Sequence, residues 1–107
     1  MANKVKIQGD VPIIFIDAIP DGGKVSKNRI VAYGEATGHN HQVVGDAVCY
    51  EYPDRWVFSI GENGAELVHT SSGEHAPVTL YPNTFVMIPR GVQQREYAGE
   101  YERRVLD

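Results

Sequence analysis

The chain holds a single cysteine, Cys49, in 107 residues, which excludes an internal disulfide and any Cys-x-x-Cys zinc or redox pair. Cys49 lies between Val48 and Tyr50 in a strand-like run. Nothing adjacent in sequence would lower its pKa, so it reads as a buried, unreactive thiol. Long apolar runs are also missing. The longest, Val11 to Ile16, contains Pro12 and falls far short of the roughly 20 residues of a membrane span. No apolar run follows the start Met1-Ala2-Asn3-Lys4, so the expectation is a cytoplasmic chain with no membrane association. An excess of positive charge is absent too. Ten Lys and Arg stand against 14 Asp and Glu, a formal net charge of −4, so no nucleic acid partner is expected. Arg95, Arg103 and Arg104 are interrupted by Glu96, Glu100 and Glu102, the pattern of a solvated face. There is no glycine-rich loop ending in Lys-Ser or Lys-Thr and no Gly-x-Ser-x-Gly elbow, so nucleotide and serine hydrolysis are not indicated.

What is present is punctuation. Eleven Gly and 6 Pro cut the chain into short pieces without sustained helical periodicity, which predicts an all-β, single-domain protein over residues 1–107. Val5 to Gln8 alternates weakly, and Val11 to Asp17 is apolar on both parities, as suits a strand covered on both faces. Further strands are expected over Asn28 to Glu35, His39 to Val44, Ala47 to Tyr52, Arg55 to Ile60, Glu66 to Thr70, Val78 to Tyr81, Phe85 to Ile88 and Val92 to Tyr97. Gly45-Asp46, Pro53-Asp54, Glu62-Asn63-Gly64, Ser71-Ser72-Gly73 and Pro82-Asn83 separate them. Strands at roughly 8–12-residue spacing point to a small barrel or sandwich. Only the tail, Gly99 to Asp107, admits a short helix.

Of the 4 histidines, two form His39-Asn40-His41. Positions i and i+2 of a strand share a face, so both imidazoles can reach one ion; the plainer alternative is two exposed histidines in a polar loop. His69 and His75 bracket the Ser-Ser-Gly turn, and His75, within Glu74-His75-Ala76-Pro77 at a strand start, is the better candidate of the two. Glu74 and Glu35 are available to orient it in acid–base work. If Gln94-Arg95-Glu96-Tyr97 is a strand, Gln94 and Glu96 share one face and offer oxygen ligands. Tyr81, Phe85, Tyr97 and Tyr101 read as core or rim aromatics.

The run Gly34-Glu35-Ala36-Thr37-Gly38-His39-Asn40-His41, with Asp46 after four intervening residues, resembles the first motif of the cupin family. Asn83, Pro89-Arg90-Gly91 and Gln94 resemble the second. The departures are Asp46 in place of a glutamate, Gln94 in place of a histidine, and Asn83 in place of a glycine, which asparagine tolerates because it accepts a left-handed backbone. This resemblance implies a jelly-roll barrel whose inner face carries a mononuclear metal. The words Gly-Glu-Ala-Thr-Gly-His-x-His, Glu-His-Ala-Pro and Gln-Arg-Glu-Tyr are also similar to a group of short bacterial and phage proteins of unassigned function.

The expectation is therefore a cupin-like β-barrel that binds a divalent transition metal, Zn, Fe, Mn or Ni, through His39, His41 and His75 aided by Gln94 or Glu96, and acts on or binds a small molecule. The competing expectation is a non-catalytic ligand binder or a component of a phage or mobile-element assembly. A homo-oligomer paired through the Val11 to Ile16 strand is compatible with either.

Overall fold

A computed structural model describes residues 4–33, 39–70, 76–91 and 93–106, with side chains as far as Glu100. Among the described residues, eight strands and one helix follow in the order β1 (Val5–Gln8), β2 (Val11–Ile16), β3 (Lys24–Ser26), β4 (Ile30–Tyr33), β5 (Asn40–Glu51), β6 (Arg55–His69), β7 (Val78–Leu80), β8 (Phe85–Pro89) and α1 (Gln93–Leu106). The all-β expectation with a short C-terminal helix is met. All strand pairings are antiparallel. They make one sheet in the order β1-β2-β8-β6-β5-β3, with β4 added to β5 and β7 to β6. The sheet curls until β1 stands beside β7. There the Lys6 ammonium donates to Thr79 O (3.3 Å) and to the Tyr81 hydroxyl (2.8 Å).

Two long strands form the spine, and both bend at the same place. β5 and β6 pair from His41–His69 down to Glu51–Trp56, with a register shift between Gly45 and Ala47. Gly45-Asp46 and Glu62-Asn63-Gly64, expected to end strands, are instead bulged segments inside continuous ones. Gly45 adopts φ 122°, and a Cβ there would meet Ala65 Cα at 2.8 Å and Gly64 O at 2.9 Å, so only glycine lets the two strands cross this bend. The Asp46 carboxylate accepts the Asn63 backbone N–H (3.2 Å), and any side chain at Gly61 would collide with that carboxylate. The turn at Pro82-Asn83 has Asn83 at φ 59°, the left-handed conformation expected of it.

The inward side chains Val11, Ile13, Val31, Val43, Cys49, Phe58, Ile60, Leu67, Leu80, Val86 and Ile88 form the core. Cys49 is buried, as expected, and burial, with Glu51 second, pushes its thiol from 9.0 up to about 11. The strand apolar on both parities is explained: β2 lies between β1 and β8, and α1 packs on β2 and β8 from outside. Its edges are both occupied within the chain, so neither is free to add a strand from outside. The expected strand Val92 to Tyr97 is corrected, since the helix starts at Gln93, well before Gly99. Gln, Arg, Glu and Ala favour a helix, and burial of Ala98 seats it on the sheet. No helix among the described residues is long and apolar enough to cross a membrane.

Candidate metal centre

Strand parity carries the core face outward to histidine. On β5, His41 follows Val43 on the inner side, and on β6, His69 follows Ala65 and Leu67. His41 and His69 are register partners, with ring centroids 4.4 Å apart and planes tilted by 47°. His39, two residues before His41, stands edge-on to His69 at 6.0 Å. The strand ends are locked by reciprocal bonds: the Asn40 N–H donates to Thr70 Oγ1 (2.9 Å) and the Thr70 N–H to Asn40 O (2.9 Å).

His41 is the anchored member. It is 7% exposed, and its Nδ1 lies 2.8 Å from Oε1 of Gln8, which ends β1 and is itself buried. Gln8 Nε2 donates to Leu67 O (2.9 Å) and Ala76 O (2.8 Å). One amide therefore ties together β1, β6, the chain after His75 and a ring of the cluster. His39 and His69 are half-buried.

The sequence-derived ligands are distributed as follows. His39, which precedes β5, and His41, within it, each lie beside the His69 ring, at 6.0 and 4.4 Å. His69, ranked below His75, is the third ring of the cluster; its shared parity with Leu67 was the signal that identifies it. His75, Glu35 and Glu74 lie outside the described residues. Gln94 and Glu96 do not share a strand face, because a helix turns them roughly 200° apart. The Gln94 carboxamide donates to Val31 O (2.6 Å), while Glu96 borders a separate hollow with Asp54, Gln93, Tyr97 and Glu100. Asp46, at the glutamate position of the motif, serves the β6 bulge. Among the described residues no three His, Cys, Asp or Glu side chains converge as an ion requires; the imidazoles are gathered without being closed on a point.

A second concavity, of about 470 Å³, is lined by Ile30, Ala32, Tyr33, Trp56, Arg90 and Gln94 among others. The Arg90 guanidinium sits 4.8 Å over the Trp56 ring and donates to Tyr52 O (2.6 Å), while Trp56 Nε1 is buried without a hydrogen-bond partner.

A family described as a domain of unknown function (DUF8820) matches residues 7–90, most of the chain. The chain belongs to this family. The DUF8820 span contains Gln8, His39, His41, His69 and His75 and ends before Gln94 and Glu96. The histidine end of the sheet thus lies within the shared unit, and α1 lies beyond it. Comparison with curated proteins and with solved structures returns no significant match.

Proposed function

We propose that the protein binds a divalent transition metal at the histidine end of its barrel, through His41, His69 and His39, and holds a small molecule there. The observation that supports this is the gathering of three imidazoles at one end of the β5–β6 pair, His41 and His69 as register partners and His39 just before β5. Their separations of 4.4 and 6.0 Å bracket the ~5 Å between two imidazoles on one tetrahedral ion with metal–nitrogen bonds of about 2.1 Å. Closure onto an ion needs rotation of the half-buried His39 and His69 toward the anchored His41. Their nitrogen donors, without thiolate, suit Zn, Ni or Fe, and Mn only with added oxygen ligands. His75, one residue before the tethered Ala76, is the candidate fourth ligand in a cupin-like reading. Bound there, the ion would supply Lewis-acid polarisation of a coordinated oxygen. This chain's residues hold the ion and, through the surrounding apolar core, limit the approach of water.

Calorimetric titration of Zn(II), Ni(II), Fe(II) and Mn(II) into untagged protein tests this reading. Saturable binding of one ion per chain, lost in His41→Ala and His69→Ala, is expected. Absence of binding by all four to a folded protein overturns it.

A second reading, a metal-free small-molecule binder, draws on the cleft beside Trp56. The Arg90 guanidinium stacked on the Trp56 ring would receive an acceptor-bearing ligand against the apolar Ile30 and Ala32. In that case ligand binding is sensitive to Arg90→Ala and indifferent to His41→Ala.

A further inference from the structure

We infer that Gln8 is a positioning residue that fixes which nitrogen His41 presents. A carboxamide offers one accepting and one donating end, and the partners of Gln8 tell the two apart. Two backbone carbonyls, Leu67 O at 2.9 Å and Ala76 O at 2.8 Å, meet one end. Carbonyls only accept, so the NH2 group is the end that faces them. The other end, at 2.8 Å from His41 Nδ1, is therefore the oxygen. An amide oxygen also only accepts, so the imidazole proton sits on Nδ1. In neutral His41 the lone pair is then on Nε2, and whatever meets Nε2 meets an acceptor.

The arrangement is locked by burial. Gln8 is 2% exposed, and turning the amide over would set its oxygen against two carbonyl oxygens with no water to relieve them. Glutamate at this position would do the same with a full charge, and an aliphatic residue would leave His41 to choose its own tautomer. The inference deepens the metal reading by naming Nε2 of His41 as the ligating atom, and in that consequence it rests on the reading above. The tautomer itself does not.

The test is a long-range 1H–15N correlation spectrum of metal-free protein labelled with 15N-histidine, at a pH where His41 is neutral. The expected result for His41 is protonated Nδ1 and unprotonated Nε2. The wild-type spectrum alone overturns the inference if Nε2 carries the proton. Gln8→Met, which keeps most of the buried volume, and Gln8→Leu are expected to mix the two tautomers, and a folded variant retaining the pure Nδ1–H form also overturns it. Zn(II) affinity is expected to fall about 10–100-fold in the folded variants, as for loss of a group orienting a ligating histidine. A Zn(II) affinity unchanged in a variant of mixed tautomer contradicts the positioning role. The predicted tautomer in a wild-type protein that binds no Zn(II) removes the metal reading and leaves the tautomer assignment standing.

Discussion

His41 and His69 are directly opposed across the β5–β6 ladder, one buried and hydrogen-bonded to Gln8, the other half-buried at the strand end. This relation makes the two rings unequal. Replacing His41 with alanine strips Gln8 Oε1 of the partner at Nδ1 and leaves a buried acceptor, at a cost of about 1–3 kcal/mol. His69→Ala, with less burial at stake, should cost less while abolishing metal uptake equally. Urea midpoints of the two variants, compared with their Zn(II) binding, separate the structural from the ligating contribution. Equal destabilisation would contradict the anchored role of His41.

The bend of β5 and β6 is held by Asp46. Asp46→Ala removes the carboxylate that receives the Asn63 N–H, an expected loss of about 0.5–1.5 kcal/mol. Gly61→Ala is expected to destabilise through collision with that carboxylate. Because the collision partner is Asp46 itself, the double variant Asp46→Ala/Gly61→Ala should be more stable than the sum of the single costs predicts. Denaturation of all four proteins measures this coupling, and strict additivity would refute it.

Cys49 should behave as a reporter of unfolding. Its thiol is buried and raised to about 11, so native protein at pH 8 should resist thiol reagents that label it at once in denaturant. The same shift has a pH consequence. The unfolded thiol ionises around its ordinary 9.0 and the folded thiol not until about 11. This contribution to stability is therefore complete below 9 and is lost as the pH rises through that window. Cys49→Ala should lose this part of the alkaline dependence.

Ile13 lies in the core on a strand with both edges paired. Ile13→Ala should lower stability by about 2–5 kcal/mol through the cavity it leaves, without changing the association state. Light scattering beside the denaturation curve checks both, and dissociation of an oligomer by this change would contradict the internal placement of β2.

Much of the fold was legible because its rules are local. Alternation along β5, the all-apolar β2 and the turn residues around Asn83 each follow from strand parity or backbone sterics. What escaped depends on partners distant in sequence. Gly45-Asp46 and Glu62 to Gly64 carry turn residues, and only their mutual pairing makes them bulges in continuous strands. The Gln94 to Tyr97 stretch alternates as a strand does, but the sheet already has its strands, and the segment packs outside β2 and β8 as a helix. In the site, His39 and His41 stand out in the sequence, while His69 joins them only through the β5–β6 register. Gln8 does not stand out, since a glutamine at the end of a weakly alternating strand gives no hint of burial against residues 33 and 59 positions away.

The most direct test of the metal site is elemental analysis of protein purified without a His tag or chelator, beside a His39→Ala/His41→Ala/His69→Ala variant. Close to one equivalent of Zn, Fe, Mn or Ni per wild-type chain is expected, and none in the variant. A wild-type protein that stays metal-free after reconstitution with all four ions, or a variant that retains its metal, would contradict the metal site.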